Sequence, residues 1–497
     1  MMSRARKGSV CNGREFNMNI WTQTAVAVLA SLSASVAAAQ DSAAERCEAL
    51  RNFGMESGFV TSTRVVEAAE TLPAYCEIRA TALPAISIEA RLPLEGWNGK
   101  LYQAGCGGWC GILGRGDGDG RWVNAMIQGL ERGYATATSD SGHHGLSVVD
   151  GAWAEENTHA ERDWGWRSIG ETYRVAQTLI EEFYGNAHEK AIFQGCSTGG
   201  RMAHMATQRY PEHFQGIISG APAMYETGLA GPALAWIVKA NTDADGNPIL
   251  GPGKDGLIGD EVMRQCDGLD GAEDGLISDP RQCTPDVSTL LCEEGQDAMQ
   301  CLSEAEIGVV TKWYQTPVNA AGEALYPGGI PAGSEPFWWL WLTGNTEGAA
   351  PLNPLFAQSF GAYLAFEQDP GEDWKATDFD FETDISRMAK AAAMYNSHDP
   401  DISEFRAAGG KMIVWHGWAD AIVTPGQTVD WHEKAQAEAG GAEALAENVR
   451  LFMIPGMDHC GLLPSPGGIA MESIDPLTAL ERWIETGEAP ETIMAQD

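Results

Sequence analysis

Short apolar runs alternate with amphipathic segments in the first and last parts of the chain. Residues 85–92 alternate apolar and polar side chains at the period of a strand. Residues 168–184 place Ile169, Leu179 and further apolar side chains on one side of a predicted helix. The predicted strands are 85–92, 100–103, 134–138, 191–193, 215–220, 411–415 and 449–454. Strands that alternate with helices in this way predict an α/β fold with a doubly wound parallel sheet.

The alternation stops after Pro222 and returns near residue 397. The segment 223–396 is rich in turns, tryptophans and acidic residues. A segment of this length between two strands predicts an inserted lid domain. We therefore expect a catalytic domain made of residues 40–222 and 397–497, with a lid over residues 223–396.

The segment 190–201, KAIFQGCSTGGR, places the pattern G-x-S-x-G between a predicted strand and a predicted helix. In this context the serine stands on a sharp turn, and Gly195 and Gly199 remove side chains that would clash there. The start of the following helix offers backbone amides and a positive dipole end to an oxyanion. The bare pattern also arises by chance in a glycine-rich chain, but its setting between a strand and a helix favours function. Ser197 is the candidate nucleophile.

A glycine-rich loop over residues 104–111 follows an early predicted strand. An ordinary turn between a strand and a helix is one interpretation. An oxyanion loop is the favoured one, because α/β-hydrolases place their second oxyanion donor there and Gly107 or Gly108 lets an amide approach the substrate. A phosphate-binding loop is disfavoured, since no Lys-Ser/Thr follows.

An acid and a histidine follow the last two predicted strands. Asp420 comes after 411–415 and His459 after 449–454, which gives the order Ser, Asp, His that this fold uses. Asp420 would orient the imidazole, and His459 would take the proton of Ser197. Asp458 is the competing acid, but its adjacency to His459 makes it an awkward orienting group.

The cysteines predict disulfide bonds. Cys11 lies in the leader described below, and the remaining ten are Cys47, Cys76, Cys106, Cys110, Cys196, Cys266, Cys283, Cys292, Cys301 and Cys460. An even number suits an oxidising compartment, and no cysteine spacing typical of a zinc finger is present. Close spacing favours local bridges within 106–110, 266–283 and 292–301, although spacing does not fix the connectivity. Cys196 and Cys460 flank the candidate serine and histidine, so we expect a disulfide that joins those two loops.

Two features of the predicted lid carry candidate binding residues. Residues 267–279 interleave acidic residues with glycines, which suits Ca²⁺ but does not follow the EF-hand spacing. An acidic surface loop is the alternative. Trp338, Trp339 and Trp341 form an aromatic cluster that either belongs to a core or contacts an apolar substrate.

Charge and the N-terminal segment bear on partners and location. With 69 acidic and 32 basic residues the formal net charge is −37, which argues against a nucleic acid partner. Residues 1–39 have the basic start, short apolar stretch and A-x-A site of an export leader, with Gln40 as the mature N-terminus and Met18 as an alternative start. We therefore expect a secreted or periplasmic protein with no membrane partner.

These features together resemble the tannase/feruloyl esterase family, which includes feruloyl esterases, tannases and mono(hydroxyethyl) terephthalate hydrolases. The resemblance rests on residues 195–200, on Asp420 and on the pair His459-Cys460. It extends to the loop 105–111, to residues 139–143 and to the acidic loop of the lid. The resemblance therefore covers nearly all of the mature chain and implies an α/β-hydrolase fold with a large inserted lid.

The resemblance also implies roles for further residues. Calcium ligands are expected at the side chains of Asp267, Asp270 and Asp274 and at the carbonyls of Ala272 and Leu276. The oxyanion donors would be the backbone of Thr198 and a glycine of the upstream loop. His416 would lie near the bound acyl group, and the lid bridges would be Cys266–Cys283 and Cys292–Cys301.

The expected function is that of an exported serine esterase acting on small aromatic esters of the hydroxycinnamate or gallate type through an acyl-enzyme. Hydrolysis of a terephthalate monoester is the first alternative. It is weakened because members of that branch are expected to hold the substrate carboxylate with a lid arginine, and residues 341–373 contain none. A non-catalytic carbohydrate- or lignin-binding protein is the second alternative, although such a protein has no need of the serine, acid and histidine together.

Overall fold

The computed structural model describes residues 42–113, 125–145, 147–463, 469–470 and 473–494. The leader predicted over residues 1–39 lies outside these residues. Within them, no helix combines the length and the apolar composition needed to cross a membrane.

Ten strands of the described residues form one mixed sheet in the order β1-β2-β3-β4-β6-β5-β7-β8-β9-β10. The strands are β1 Gly54–Met55, β2 Gly58–Val66, β3 Tyr75–Ala82, β4 Ile86–Pro93, β5 Lys100–Ala104, β6 Ala135–Ser139, β7 Lys190–Cys196, β8 Gly216–Gly220, β9 Lys411–Gly417 and β10 Val449–Ile454. From β6 to β10 all neighbouring strands run parallel. The predicted parallel part of the sheet is therefore confirmed.

The first four strands correct the expectation of a wholly parallel sheet. Neighbouring strands from β1 to β4 pair antiparallel, and β4 pairs antiparallel with β6. Antiparallel neighbours need only short connections, whereas parallel neighbours need a crossover of a dozen or more residues. The chain between β1 and β4 has only short connections, so this part folds as a meander.

Helices cover both faces of the sheet. The α-helices are α1 Ala43–Ala49, α2 Ile127–Glu131, α3 Thr158–Arg162, α4 Ser168–Tyr184, α5 Thr198–Arg209, α6 Glu226–Gly228, α7 Leu234–Ala240, α8 Asp255–Cys266, α9 Glu304–Tyr314, α10 Trp338–Trp341, α11 Leu352–Tyr363, α12 Asp384–Arg387, α13 Ala389–Tyr395, α14 Ser403–Ala407, α15 Gly426–Ala439, α16 Ala442–Ala446 and α17 Pro476–Thr486. Phe193 packs in one apolar cluster with side chains of α4 and α5, whereas its neighbour Ile192 packs in another with side chains of α17. Successive strand residues point to opposite faces, so each face has its own core.

A long insertion separates two neighbouring strands. β8 and β9 pair in parallel register, yet the chain between them spans residues 221–410 and includes α6 to α14. A third apolar cluster, which includes Val309, Trp313 and Trp338, forms the core of this insertion and also contains Ile422 and Val423 from the loop after β9. The insertion therefore packs on the loop that carries Asp420. The boundaries given for a lid domain, residues 223–396, stay a prediction.

All ten described cysteines are paired. The disulfides are Cys47–Cys76, Cys106–Cys110, Cys196–Cys460, Cys266–Cys283 and Cys292–Cys301. The expected bridge between the serine and histidine loops is therefore present. The bridge from Cys47 to Cys76, which the sequence left open, fastens α1 to β3.

Candidate active site

Ser197 lies at the tip of the turn between β7 and α5. Its backbone has φ 63° and ψ −124°, a conformation that residues with a side chain rarely adopt. The turn is possible because two short segments touch: a Cβ on Gly195 would lie 2.6 Å from the backbone of Gly199. The spacing of glycines around the serine thus follows from the close approach of the strand to the helix.

Asp420 and His459 follow the ends of β9 and β10 and form a hydrogen bond. Asp420 Oδ2 accepts from Nδ1 of His459 at 2.6 Å, while its Oδ1 accepts from the amides of Ile422 and Val423 at 3.0 and 2.8 Å. Burial alone would raise the pKa of Asp420, but the attraction of His459 and hydrogen bonds from His416 and His459 lower it to about 2. The carboxylate is therefore ionised and aimed at the imidazole.

The neighbouring acid has a different environment. The Asp458 carboxylate accepts hydrogen bonds from the backbone amide of Leu463 at 3.2 Å, and burial raises its pKa to about 7. The geometry therefore favours Asp420, not Asp458, as the partner of His459.

Ser197 and His459 line one cavity of about 230 Å³. Its walls are almost entirely apolar, and none of the described residues that line it is a lysine or an arginine. The lining residues include Trp109, Leu229, Leu234, Leu340, Trp341, Leu352, Phe356, Ile422 and Val423. Trp341 meets the ring of His459 edge to face, with 5.3 Å between the ring centroids. The cavity therefore offers an apolar, aromatic surface directly beside the serine and the histidine.

The candidate oxyanion residues Thr198, Gly107 and Gly108 line the same cavity. Gly108 has φ +54°, and a Cβ there would lie 2.3 Å from the carbonyl oxygen of Val148, so only glycine fits without a shift. The Cys106–Cys110 disulfide closes this loop on itself. Thr198 begins α5, where the first backbone amides of a helix lack partners within the helix.

His143, from the sequence motif 139–143, contacts the backbone of the glycine-rich loop 104–111. His143 Nε2 lies 2.7 Å from the carbonyl oxygen of Trp109, and the imidazole stacks on Trp153. Burial lowers the pKa of His143 to about 4, so the ring is neutral and its Nε2–H donates to that carbonyl. The motif therefore fixes the backbone of the glycine-rich loop.

The three tryptophans predicted to contact substrate separate in the structure. Trp341 lines the cavity, whereas Trp338 is fully buried and donates a hydrogen bond to Ser334 Oγ at 3.0 Å. Trp339 is 36% exposed and is not part of the cavity wall. All three belong to the single helical turn of α10, where each residue is rotated by roughly 100° from the last, so one turn cannot point three rings at one cavity.

His416 is not part of the cavity wall. It is fully buried, its Nδ1 lies 2.7 Å from the Thr428 hydroxyl, and its Nε2 lies 2.8 Å from the carbonyl oxygen of Val423 and 3.2 Å from Asp420 Oδ2. Val423 itself lines the cavity, so a position of His416 near the bound acyl group stays a prediction. The ring donates a hydrogen bond to Asp420 Oδ2 and thereby helps to hold that carboxylate in place.

The acidic loop of the insertion uses its carboxylates within the loop. Asp267 accepts from the amides of Asp274 and Gly275 at 3.1 and 3.0 Å, and Asp270 accepts from the amide of Ala272 at 2.9 Å. No three His, Cys, Asp or Glu side chains are grouped to hold a metal ion in the part of the chain that the structure describes. Calcium binding by this loop stays a prediction, and we derive no catalytic step through a metal.

Three residues of the cavity were not found from the sequence. Trp109 and Phe356 contact each other edge to face, with ring centroids 5.5 Å apart, across the gap between the glycine-rich loop and the insertion. Glu226 lines the cavity although it is buried, and burial raises its pKa to about 7, which the charge of Arg201 only partly offsets. The first two carry no signal that separates them from core residues. A lone acid close before the apolar segment 229–238 was the available signal for Glu226.

The fold and the site together define a class. A sheet with a serine on a strand-to-helix turn, followed by an acid and a histidine after later parallel strands, is the arrangement of an α/β-hydrolase. The sequence profile of the family described as tannase and feruloyl esterase matches residues 69–497. The chain belongs to this family and is a carboxylic ester hydrolase.

Relatives of known name cover most of the chain. It is 29% identical over 522 residues to the mono(2-hydroxyethyl) terephthalate hydrolase of Piscinibacter sakaiensis, covering 90% of this chain and 84% of that one. It is 31% identical over 431 residues to a probable feruloyl esterase B-2 of Aspergillus terreus, covering 82% and 75%. The crystal structure of feruloyl esterase B from Aspergillus oryzae matches with a TM-score of 0.79 at 25% identity, covering 90% of this chain and 92% of that one.

Proposed function

We propose that the chain is an exported serine esterase that hydrolyses esters of phenolic aromatic acids through an acyl-enzyme. Ser197 Oγ attacks the ester carbonyl while His459 takes its proton, and Asp420 orients the imidazole and stabilises its charged form. Backbone amides of Thr198 and the Gly107–Gly108 segment stabilise the oxyanion. The alcohol leaves with the proton from His459. Water, activated by the same imidazole, then releases the aromatic acid.

One observation carries this proposal. Ser197 and His459 line the same cavity, and the Nδ1 of that histidine lies 2.6 Å from a fully buried, ionised Asp420. A protein that only binds carbohydrate or lignin has no use for a buried carboxylate held against an imidazole beside a strained serine.

The cavity wall supports an uncharged aromatic acyl group. Trp109, Trp341 and Phe356 provide flat apolar surface, and the volume of about 230 Å³ suits a single ring with a short side chain. A terephthalate monoester carries a free carboxylate on the acyl ring, which needs a cationic partner when it is buried. The described lining residues include no lysine or arginine, so the cavity favours the phenolic ester.

The test is hydrolysis of methyl ferulate, methyl gallate and mono(2-hydroxyethyl) terephthalate by the disulfide-bonded protein and by Ser197→Ala. We expect turnover of at least one phenolic ester by the parent protein and its loss in Ser197→Ala. Ser219→Ala is the matched control, because Ser219 is buried in β8 and is not part of the cavity wall. Absence of turnover of all three esters would overturn the esterase proposal, and turnover of the terephthalate ester alone would move the substrate to the other branch.

Export is the second part of the proposal. The composition of residues 1–39 and the five disulfides both suit an oxidising compartment outside the cytoplasm. N-terminal sequencing of the protein recovered from its native host should give Gln40 as the first residue. Recovery of an uncleaved chain from the cytoplasm would contradict export.

Calcium binding by the loop 267–279 is proposed from the sequence and the family resemblance alone. After chelation, addition of Ca²⁺ should raise the melting temperature of the parent protein, because an ion that binds only the folded chain stabilises it. Asp274→Asn should weaken this response, whereas Asp279→Asn is the matched control, since the Asp279 carboxylate is engaged by Arg281. Equal melting temperatures with and without Ca²⁺ would leave an ordinary acidic loop.

A further inference from the structure

Glu226 is the one acidic side chain among the described residues that line the cavity. It begins α6, is only 3% exposed, and is followed in the wall by Leu229, Ala230 and Leu234. Burying an ionised carboxyl group in an apolar wall costs free energy unless the group has a charged or hydrogen-bonding partner.

The protein places Arg201 near Glu226 but forms no hydrogen bond between them. Glu226 Oε2 lies 3.8 Å from Nε of Arg201, and neither atom has a hydrogen-bond partner among the described residues. The other two guanidinium nitrogens donate to the carbonyls of Trp164, Gly165 and Tyr395. Arg201 therefore lowers the cost of a charge at Glu226 without occupying the lone pairs of its carboxylate.

The backbone on both sides of Glu226 is fixed. The amide of Tyr225 donates to Gln427 Oε1 at 3.0 Å, and the amide of Thr227 donates to Asn396 Oδ1 at 3.0 Å. The chain also stays close to the nucleophile, because the amide of Ala223 donates to the carbonyl oxygen of Ser197 at 3.2 Å. A carboxylate held in this way is a preorganised acceptor in an apolar site.

We propose that Glu226 accepts a hydrogen bond from a ring hydroxyl of the acyl group and so determines specificity for phenolic over unsubstituted aromatic esters. The inference rests on the proposed function, since it needs the acyl group of an ester to occupy the cavity beside Ser197. A phenol that enters an apolar cavity loses its hydrogen bonds to water and needs a buried acceptor in return. A site built around such a hydrogen bond rejects the analogue that lacks the hydroxyl, because its own polar group then stays unpaired.

The experiment compares two esters that differ only in one ring hydroxyl, methyl 4-hydroxycinnamate and methyl cinnamate. The quantity measured is the ratio of their kcat/KM values at pH 8, above the pKa of Glu226, in the parent protein, in Glu226→Gln and in Glu226→Leu. The parent protein should prefer the hydroxylated ester. Glu226→Leu should lower the ratio by about tenfold or more, and Glu226→Gln by several-fold, because a neutral amide oxygen accepts a weaker hydrogen bond than a carboxylate.

The matched control is Glu335→Gln. Glu335 is also fully buried, and burial likewise raises its pKa to about 7, but it lies in the insertion outside the cavity wall. Its substitution should leave the ratio unchanged. Should Glu226→Leu fail to fold, the ratio in Glu226→Gln decides.

Failure of the inference is distinct from failure of the proposed function. If the parent protein cleaves both esters and the Glu226 variants lose activity on them in parallel, Glu226 is only the structural counter-ion of Arg201 and the inference is overturned. An unchanged ratio in the variants overturns it equally. If the parent protein cleaves no ester, the proposed function fails and the inference fails with it.

Discussion

Asp420 Oδ2 accepts hydrogen bonds from two imidazoles. Nδ1 of His459 lies at 2.6 Å and Nε2 of His416 at 3.2 Å. The second imidazole also points its Nε2 at the carbonyl oxygen of Val423, at 2.8 Å, while Thr428 lies at its Nδ1. Two acceptors at Nε2 require a proton there, so His416 donates to the carboxylate and holds it in place. The orientation of Asp420 is thus stabilised by a second histidine, which is not itself part of the cavity wall.

Asp420→Asn should lower kcat by about 10³- to 10⁴-fold, because an amide neither fixes the reactive tautomer of His459 nor stabilises its charged form. KM should change little, since Asp420 is not part of the cavity wall. The measurement is steady-state hydrolysis of the best ester of the substrate panel by the folded variant.

Asp458→Asn is the matched control for that substitution. Asp458 is equally buried and adjacent to His459, yet its carboxylate serves the amide of Leu463, and an asparagine oxygen still accepts that hydrogen bond. Its kcat should stay within a few-fold of the parent value. A large loss in Asp458→Asn together with a small loss in Asp420→Asn would reassign the acid.

At the scale of elements, one covalent bond connects the turn after β7 to the loop after β10. Cys196 and Cys460 lie next to Ser197 and His459, and their disulfide joins positions 264 residues apart. In the chain-entropy description, a bridge across a loop of this length contributes up to about 5 kcal/mol. It also limits the relative movement of the two loops whose geometry the chemistry needs.

Replacing both cysteines, Cys196→Ser with Cys460→Ser, should lower the melting temperature and reduce kcat at temperatures where the variant is still folded. The double variant Cys292→Ser with Cys301→Ser is the control, because it opens a bridge of sequence separation 9 that is not part of the cavity wall. It should keep kcat. Full activity in the first variant would mean that packing alone aligns the serine and histidine loops.

The sequence predicted those elements whose signal is local. The strand-turn-helix around Ser197 and the loops after β9 and β10 were recognised because an apolar run ends next to a chemically specific residue. β2 was not separated from its surroundings, because its apolar period is weak, with Phe59 exposed and Val60 buried. β3 was missed although residues 76–82 alternate apolar and polar side chains at the period of a strand. Glu226 and His416 take their positions from tertiary packing, and no spacing in the sequence reports which buried side chain faces a cavity.

For the whole molecule, buried carboxyl groups make stability depend on pH. Burial raises the pKa of Glu226, Glu335 and Asp458 to about 7, and it raises the pKa of Asp140 and Asp255 to about 6. The same groups titrate near pH 4 in an unfolded chain. Between pH 5 and pH 7 these groups therefore hold protons in the folded chain that they have released in the unfolded chain, so their contribution to the free energy of unfolding falls as the pH rises.

Asp420 acts in the opposite sense, but only in strong acid. Its pKa is lowered to about 2, so the stability that it contributes is present above pH 4 and is lost as the pH falls towards 2. The formal net charge of −37 adds repulsion that grows as carboxyl groups ionise, which has the same sign as the effect of the buried acids. Burial also lowers the pKa of His143 to about 4 and that of His204 to about 3, so the stability that these neutral rings contribute is lost as the pH falls below 6.5, which opposes the effect of the buried acids.

We expect Glu335→Gln to change how the free energy of unfolding differs between pH 5 and pH 8, measured by denaturant titration with the disulfides intact. The raised pKa of Glu335 alone corresponds to about 3 kcal/mol, at about 1.4 kcal/mol for each pKa unit. The free energy of unfolding at pH 8 minus that at pH 5 should be more positive in Glu335→Gln than in the parent protein by about that amount, because one group no longer has to ionise in the interior. The variant is compared with itself across pH, so any change in its hydrogen bonds to Tyr314 and Gly333 cancels. The same difference between pH 8 and pH 5 in the parent protein and in Glu335→Gln would contradict the assignment of Glu335 as protonated at pH 5 in the fold.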